Sequence, residues 1–345
     1  MLIKLIIALL LIFHFYYVKK SIDETPPNSP NSDNIKITVF LAIYNKGKYL
    51  KRSIGSIQQQ TIKEVEIIAI NDGSTDNTLE ILKEMSEKDS RIKIINNGRN
   101  RGPLYSRAMG ILNSRGEYLL SLDPDDKYQG PKNFKYLYNR AKKLNVDIVN
   151  FVVLYYPSKI TSEKMGSYYT IIRQPRLFEE CFFKDCIIKD YFITNKLVKR
   201  EVFMQAYKEF EKYVYGVKWH YFEDNIWSIL VYKYANSSIF VSRRIYCYYL
   251  NNQSAMMNRG SVFELENMIL RNKMYDELFK PKEYQKFLFA GYSELVFLFE
   301  KNINITIANI ELKQKVISLI NNFTNNYNVT PNLMKRINSF IGNIT

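Results

Sequence analysis

The chain has 345 residues, of which 46% are hydrophobic, so it can bury the core of one large domain or of two closely packed domains. Its net charge is +15, which is typical of proteins that bind anionic substrates, membrane surfaces or nucleic acids. The cationic residues are spread along the chain without an arginine-rich arm, and we predict no nucleic-acid partner. Three cysteines and two histidines, without the spacing of metal ligands, exclude a disulfide scaffold and indicate no zinc site.

The first twenty residues form an apolar run that ends at a pair of lysines. Within residues 5–18 only His14 is strongly polar, and the run is close to the shortest apolar segment, about 17 residues, that spans a membrane. No small-residue cleavage site precedes the lysine pair, which favours an uncleaved signal anchor over a cleaved signal peptide. Residues 21–34 are rich in Pro, Ser and Asn and are predicted to form a flexible tether.

Sequence features also bear on the compartment. Lysines lie on both sides of the apolar run, so the positive-inside rule does not fix its orientation. We predict a membrane-anchored protein of the secretory pathway, in the ER or Golgi lumen, and keep anchoring on the cytoplasmic face or secretion as alternatives. The lumenal prediction is supported by Asn-x-Ser/Thr triplets that begin at Asn236, Asn252, Asn304, Asn322, Asn328 and Asn343.

From residue 35 onward the sequence alternates buried strands with amphipathic helices. This alternation predicts an α/β fold with a mostly parallel, Rossmann-like sheet and helices on both of its faces. The predicted strands cover residues 35–43, 65–70, 92–97, 117–122 and 146–155, and the predicted helices contain residues 50–57, 79–85, 103–114 and 131–144.

The alternation becomes less regular beyond about residue 160. Residues 176–203 indicate helices, and residues 232–250 indicate either an antiparallel pair or one strand with flanking turns. From Val262 the pattern is helical, so a mainly helical C-terminal extension is expected.

Polar residues follow three of the predicted strands. Tyr44 and Asn45 follow the first, the run 71–76 ("NDGSTD") follows the second, and the run 122–126 ("LDPDD") follows the fourth. Ligands of parallel sheets bind at the carboxyl ends of the strands, where we expect the two acidic runs to lie side by side. Three carboxylates within four residues repel one another unless a cation lies among them, and hard oxygen ligands suit Mg²⁺ or Mn²⁺. The run 71–76 alone is also typical of an ordinary turn.

These residue types suit a nucleotide with a diphosphate. A divalent ion held by one or two carboxylates would neutralise the charge that grows on a diphosphate leaving group. A nearby Asp can accept a hydrogen bond from a ribose hydroxyl, and Asp72 can accept one from a base N–H. The ring of Tyr44 offers a face for base stacking, worth about 1–3 kcal/mol, although ordinary packing of a tyrosine is the alternative.

Three segments together resemble glycosyltransferase family 2 across residues 35–155. They read "ITVFLAIYNKGKYLKRSIGSIQQQT", "VEIIAINDGSTDNTLEIL" and "NRGPLYSRAMGILNSRGEYLLSLDPDD". The resemblance implies an inverting nucleotide-sugar transferase of the GT-A fold with an Asp-x-Asp motif that binds Mn²⁺ or Mg²⁺. Within this motif Asp125 or Asp126 is the metal ligand, and Asp123 or Asp125 binds the ribose. For Arg107, the alternative to a contact with the nucleotide is an ordinary arginine on the surface of a helix. The nucleotide-sugar-binding residues that it implies are Ala42, Tyr44, Asn45, Asp72, Arg107, Asp123 and Asp125.

The second half is expected to supply the acceptor side. Inversion by a single displacement needs a base that takes the acceptor's proton, and an ordinary carboxylate is ionised at neutral pH. Glu223 and Asp224 begin an apolar helical run, where acids also favour the helix dipole. The resemblance implies that Asp224 is the base and that Glu223 is a supporting acceptor contact. It also implies that Asn195 and Lys196 line the acceptor pocket, with a solvated Lys196 as the alternative.

The sequence therefore predicts transfer of one sugar, from a nucleotide-diphospho-sugar that is UDP-linked, to a hydroxyl of a glycan or glycoconjugate. A QxxRW run of the processive family members is absent, which argues against polymer synthesis. The alternatives are a polyprenyl-phosphate sugar transferase and a catalytically silent nucleotide-sugar-binding protein. The predicted domains are the apolar segment 1–20, the tether 21–34, a GT-A domain at 35–260 with donor and acceptor halves that meet at residues 155 and 156, and the helical region 261–345.

Overall fold

The computed structural model describes residues 34–157, 192–216 and 223–250, with shorter pieces between 171 and 188 and between 269 and 341. Within these residues strands and helices alternate as far as β6, as the sequence predicts. In chain order the elements are β1 (Ile37–Ile43), α1 (Gly47–Gln58), β2 (Val65–Asn71), α2 (Thr78–Lys88), β3 (Ile92–Asn96), α3 (Pro103–Leu112), β4 (Tyr118–Ser121), β5 (Lys127–Tyr128), α4 (Asn133–Leu144), β6 (Ile148–Tyr156), β7 (Ile172–Arg173), β8 (Phe183–Lys184), β9 (Ile187–Ile188), β10 (Lys196–Lys199), α5 (Arg200–Gly216), α6 (Glu223–Tyr234) and β11 (Ser237–Tyr249).

One mixed sheet organises the described residues. Its strands lie in the order β3-β2-β1-β4-β10-β6-β11-β5, and β7 pairs with β11. The pairs among β3, β2, β1 and β4 are parallel, and so is the pair of β6 with β11, whereas β10 is antiparallel to both of its neighbours. Six strands therefore share one direction, and the mostly parallel sheet that the sequence predicts is confirmed. Their carboxyl ends form the edge that holds the candidate site.

The two faces of the sheet carry separate hydrophobic cores because successive side chains of a strand point to opposite faces. On one face Ile37, Val39 and Leu41 of β1 pack with α1, α2 and α4. On the other face Phe40 packs with α3, α5 and α6. Helix α3 approaches the sheet closely: a Cβ added at Gly110 would lie 2.7 Å from the Cβ of Phe40.

Two expectations about the second half and the strand ends need correction, and the open alternative for residues 232–250 is decided in favour of one strand. Residues 176–203 are not simply helical, because they contain β8, β9 and β10 before α5 begins. Strand β10 buries Leu197 and Val198 in the gap between β4 and β6, where sheet pairing outweighs local helical preference. Residues 237–249 form one long strand rather than a hairpin. The two acidic strand ends are separated by β1, because β1 pairs with both β2 and β4.

The described pieces between residues 269 and 341 are helical, in line with the expected C-terminal extension. Among the described residues no helix is long and apolar enough to cross a membrane. The apolar run at residues 1–20 lies outside the described residues. So do residues 251–257, most of a segment, 248–257, that resembles the loop closing over the donor diphosphate in family 2. The domain boundaries stay predictions.

Candidate functional site

The turn after β1 is held by a single asparagine. Asn45 has a φ of 51°, in the left-handed region that asparagine tolerates better than most residues. Its side-chain oxygen accepts a hydrogen bond from the backbone N–H of Thr75 at 2.8 Å, and its own N–H donates to Ser74 Oγ at 3.0 Å. Asn45 therefore ties together the loops that follow β1 and β2. The Tyr44 ring beside it is 42% exposed, so a face is open to a ligand, and Ala42 is half-buried near the end of β1.

Asp72, at the end of β2, is buried and organises the next loop. Its carboxylate accepts hydrogen bonds from the side-chain amide of Asn97 at 2.8 Å and from the backbone N–H groups of Arg101 and Gly102 at 2.9 and 2.8 Å. A carboxylate has about four acceptor positions, so one is left for an additional donor such as a base N–H. Asp72 thus shapes the loop that leads into α3, and its predicted contact with the base stays a prediction.

The three carboxylates after β4 have different environments. Asp126 is 1% exposed, and its oxygens accept hydrogen bonds from Tyr246 Oη at 2.7 Å and from the backbone N–H of Tyr249 at 2.8 Å. Burial, reinforced by the charge of Asp123, raises the pKa of Asp126 to about 8. The side chains of Asp123 and Asp125 are 27% and 17% exposed. Asp126 is turned into β11, and the other two carboxylates remain accessible.

A lysine in the turn between β1 and α1 pairs with Asp125. Lys46, directly after Asn45, lies with its Nζ 2.6 Å from a carboxylate oxygen of Asp125. Arg52, on α1, donates to the backbone carbonyl of Asp125 and stacks 3.8 Å from the ring centre of Tyr249. The motif-based reading of the sequence missed Lys46 and Arg52, although Lys46 follows the Tyr-Asn pair directly.

Arg107 connects the donor half of the sheet with the start of α6. It lies on α3 and is 5% exposed, so the alternative of a surface arginine is wrong. One terminal nitrogen donates to Ser121 Oγ at 2.9 Å, and the other donates to Asp123 at 2.9 Å. The second nitrogen also lies 3.2 Å from Asp224 Oδ1 and 3.7 Å from Glu223 Oε1. One guanidinium therefore faces three carboxylates, and their charges raise its pKa although burial alone would lower it.

The two acids at the start of α6 differ in their surroundings. The Glu223 side chain is 13% exposed, and burial, reinforced by the neighbouring Asp224 charge, raises the pKa of Glu223 to about 8. Within the described part of the chain the buried Oδ1 of Asp224 accepts no hydrogen bond, because its contact with Arg107 is a charge contact without hydrogen-bond direction. Asp224 therefore offers an unused acceptor atom in the site.

The surroundings of Asp123 shift the pKa of its carboxyl group. Burial, opposed by Arg107, raises the pKa of Asp123 to about 6. The backbone N–H of Asp123 donates to Tyr246 Oη at 3.2 Å, so this tyrosine bridges Asp123 and Asp126. Tyr246 lies in the middle of β11, and sequence reasoning missed it because nothing local distinguishes it among 27 tyrosines.

Asn195 and Lys196 lie in the sheet next to this edge. Lys196 is 1% exposed, and its ammonium donates to the side-chain oxygen of Asn195 at 2.6 Å and to the carbonyl of Phe192. The alternative of a solvated Lys196 is therefore wrong. Asn195 is half-buried, and its carbonyl accepts a hydrogen bond from the N–H of Phe151 at 3.0 Å.

The residues present fit a divalent ion of the Mg²⁺ or Mn²⁺ type held jointly with a substrate. Among the described residues no three His, Cys, Asp or Glu side chains form a metal-binding group. Mg²⁺ is commonly held by one or two carboxylates together with substrate phosphates, so a three-carboxylate cage is not required. Asp125 already has a cation as its partner, the ammonium of Lys46, which shows that its surroundings favour a positive charge at its carboxylate.

The chain matches a known family over its first half. The model described as "Glycosyl transferase family 2" matches residues 38–206. A relative named cholesterol galactosyltransferase, from Borreliella burgdorferi, is 26% identical in a match that covers 83% of this chain and 82% of the relative. This match extends well beyond the family model into the second half of the chain.

Solved structures agree in fold. Residues 1–349 of S. aureus TarS, in complex with UDP-GlcNAc, have a TM-score of 0.65 and 18% identity, with 90% of this chain and 89% of that chain covered. A mannosyltransferase from Pyrobaculum calidifontis, in complex with GDP-Man and Mn²⁺, has a TM-score of 0.50 and 10% identity, with 96% and 92% covered. At these identities the likeness shows the fold, which is GT-A. The protein is a glycosyltransferase, and its residues 38–206 belong to glycosyltransferase family 2.

Proposed function

We propose that the protein is an inverting transferase that moves one sugar from a UDP-sugar to a hydroxyl of a glycan or glycoconjugate, with a divalent metal ion and with Asp224 as the general base. The observation that carries this proposal is the convergence of Asp123 and Asp224 on Arg107. The carboxylates assigned to the donor side and to the acceptor side thus contact the same nitrogen of one guanidinium, which supports binding sites for two substrates next to each other.

Asp224 would take the acceptor's proton. The Asp224 side chain is 26% exposed, so an acceptor hydroxyl can reach its carboxylate, while Arg107 lies 3.2 Å from the buried Oδ1 and holds the group in place. Positioned bases contribute about 10²–10⁴-fold to the rates of such reactions. Glu223, whose pKa is raised to about 8 by burial and by Asp224, holds its proton near neutral pH. In this state Glu223 can donate a hydrogen bond to another acceptor oxygen and adds no charge beside the base.

Asp125, with Asp123 beside it, would hold the divalent ion together with the donor's phosphates. When bound, the ion supplies charge neutralisation for the departing diphosphate. The hydrogen bonds of Asp126 to β11 make this residue a support for the loop rather than a ligand. Lys46 would have to release Asp125 for an ion to bind there, and its ammonium would then be available to pair with the donor's phosphates.

The base and ribose of the donor would bind along the ends of β1 and β2. The exposed Tyr44 ring is available for stacking, and Asp72 keeps one acceptor position for a base N–H. A UDP-linked donor is supported by the TarS complex with UDP-GlcNAc, whereas the Pyrobaculum structure holds GDP-Man, so guanine is the competing base. The Mn²⁺ in that structure supports the metal.

The acceptor class is proposed from the name of a relative. The relative named for cholesterol transfers to a hydroxyl compound, which supports a hydroxyl acceptor. A polyprenyl phosphate is the competing acceptor class, and it needs no base because its phosphate oxygen is already ionised. Membrane anchoring through residues 1–20 and location in the secretory pathway are part of the proposal and rest on the sequence.

The Asp224→Asn variant tests this function. We expect transfer to fall by about 10²–10⁴-fold, because the amide cannot accept the proton, while binding of the UDP-sugar with Mn²⁺ stays within about twofold. Donor binding is measured by calorimetry and transfer by release of UDP in the presence of candidate acceptors. Asn225→Ala, at the next position of α6, is the matched control and is expected to keep transfer. Full transfer by Asp224→Asn would overturn the assignment of the base and favour a phosphate acceptor.

A further inference from the structure

One face of α4 is covered with lysines. Lys135, Lys142 and Lys143 of α4 and Lys132 directly before it are all exposed, and their offsets of three, seven and eight residues from Lys135 place the side chains on one side of the helix. The opposite side of α4 packs into the core through Phe134, Leu137 and Ala141. The helix is therefore fixed to the sheet, and its lysines form part of a stable outer surface.

Strand β11 extends this surface with two arginines. The register of β11 against β6 shifts between Val241 and Tyr246, and within this irregular stretch Arg243 and Arg244 are exposed. The guanidinium of Arg243 lies 4.4 Å from the ring centre of Tyr136 on α4, so the strand and the helix share one outer surface. We call the six side chains Lys132, Lys135, Lys142, Lys143, Arg243 and Arg244 the basic face.

Few acidic groups neutralise the basic face. The sequence from Lys127 to Val146 contains no Asp or Glu. Lys142 pairs with Glu117 at 2.7 Å, but within the described residues Lys132, Lys135 and Lys143 make no ion pair. Lysines elsewhere in the sheet layer do have partners, such as Lys36 with Glu64 and Lys93 with Glu66. Lys132, Lys135 and Lys143 thus give the basic face a positive potential that no ion pair of theirs offsets within the described residues.

The chain enters the fold beside this helix. Lys36, at the start of β1, lies with its Nζ 5.7 Å from the ring centre of Tyr138 on α4. The segment that precedes it contains the apolar run 1–20 and the tether 21–34, whose 14 residues span at most about 50 Å when extended. A membrane that held the apolar run would therefore stay within reach of α4.

We propose that the basic face binds the surface of a membrane that contains anionic phospholipids. This inference rests on the proposed anchoring through residues 1–20 and takes its cytoplasmic-face alternative, because anionic lipids give the cytoplasmic leaflet its negative potential. Each Lys or Arg at an anionic lipid surface strengthens binding by about fivefold, and the tether raises the effective concentration of the membrane at the basic face. The active site remains accessible, because the chain enters at the amino end of β1 and the site lies at its carboxyl end, about 20 Å away for a seven-residue strand.

Lysine acylation on the full chain tests this proposal. The chain is incorporated into vesicles of phosphatidylcholine alone or of phosphatidylcholine mixed with phosphatidylglycerol. A water-soluble acylating reagent is added, and modification of each lysine is quantified by mass spectrometry. We expect Lys132, Lys135 and Lys143 to react at least about fivefold more slowly in the anionic vesicles, with the difference lost at high salt. Internal references are the exposed Lys83, Lys88 and Lys208 on other helices, which should react equally in both.

Two triple variants test whether the basic face itself, rather than the net charge of the protein, protects its lysines from acylation. In the triple variant Lys132→Gln, Lys135→Gln and Lys143→Gln, the remaining Lys142 should lose its protection. In the matched variant Lys83→Gln, Lys88→Gln and Lys208→Gln, which removes the same charge, Lys142 should keep it. Equal acylation in the two kinds of vesicle at low salt would overturn the proposal. Protection by a double-stranded DNA oligonucleotide, without protection by anionic vesicles, would overturn it in favour of a nucleic-acid surface.

Discussion

The guanidinium of Arg107 lies 3.2 Å from a carboxylate oxygen of Asp224, although α3 and α6 belong to different halves of the chain. The same guanidinium holds Asp123, so it balances carboxylates that would otherwise repel one another in a buried site. Arg107 therefore couples the stability of the fold to the geometry of the site.

Removal of Arg107 should lower the free energy of unfolding. In Arg107→Ala, the carboxylates of Asp123 and Asp224 lose their shared cation, and we expect a destabilisation of about 3 kcal/mol, measured by urea unfolding. The control is Arg115→Ala. Arg115 pairs with Glu66, and Glu66 keeps a cationic partner in this variant because Lys93 Nζ lies 3.2 Å from its carboxylate. This control should cost about 1 kcal/mol or less. Equal losses in the two variants would contradict the central role of Arg107.

Substitution of a carboxylate by an amide should lower the turnover of the UDP-sugar at Asp125 but leave it nearly unchanged at Asp126. We expect Asp125→Asn to lose metal-dependent turnover of the UDP-sugar by about 10²-fold or more, because a ligand charge is removed. Asp126→Asn should keep turnover within about threefold, because its pKa of about 8 leaves it protonated near neutral pH and the amide oxygen can still accept from Tyr249 N–H. Turnover is measured against Mn²⁺ concentration. The reverse order of effects would make Asp126 the ligand.

Lys46 should compete with the divalent ion for Asp125. In Lys46→Ala the carboxylate has lost its ammonium partner at 2.6 Å, and we expect Mn²⁺ to bind about fivefold more tightly in the absence of UDP, where the lysine has no phosphate to pair with. Free Mn²⁺ is measured by its paramagnetic resonance signal, independently of transfer. Lys51→Ala removes an exposed lysine from the same helix and should leave the affinity unchanged. An unchanged or weaker affinity in Lys46→Ala would show that the lysine does not compete.

Glu223 should make the fold less stable as the pH rises. Its pKa is raised to about 8 in the folded protein, above the ordinary glutamate value, so between these two values the folded state holds a proton that the unfolded chain releases. The free energy of unfolding should therefore fall by up to about 1.4 kcal/mol per pH unit from this group as the pH rises toward 8. Glu223→Gln should remove this slope in denaturation curves recorded from pH 5 to 8, whereas Glu80→Gln, at an exposed site on α2, should not.

Substitution by alanine should have opposite effects on stability at two glycines, because Gly110 packs closely against the sheet and Gly55 does not. Gly110→Ala would bring a Cβ to 2.7 Å from Phe40 Cβ and 3.0 Å from Ile70 Cδ1, and we expect a loss of about 1–3 kcal/mol. Gly55→Ala, on α1, meets no atom within 4 Å and should add about 0.5–1 kcal/mol through helix propensity. Thermal or urea unfolding measures both. A stabilising Gly110→Ala would show that α3 lies farther from β1.

Much of the donor site could be predicted from the sequence because it is built from strand ends. The residues after β1, β2 and β4 are local in sequence, and parallel pairing brings their carboxyl ends to one edge. The partners of these residues could not be predicted in the same way. Lys46 meets Asp125, and Tyr246 meets Asp126, across large sequence separations that depend on how α1 and β11 pack.

The sequence by itself determined the alternation of strands and helices, the family of residues 38–206 and the positions of the acidic runs, because each depends on short-range patterns of hydrophobicity and residue order. Only the tertiary structure decided that Asp126 is buried against β11, that Arg107 is shared by three carboxylates and that Lys196 lies inside the sheet. Burial and charge pairing are properties of the packed molecule, since they depend on groups that the chain brings together from distant positions.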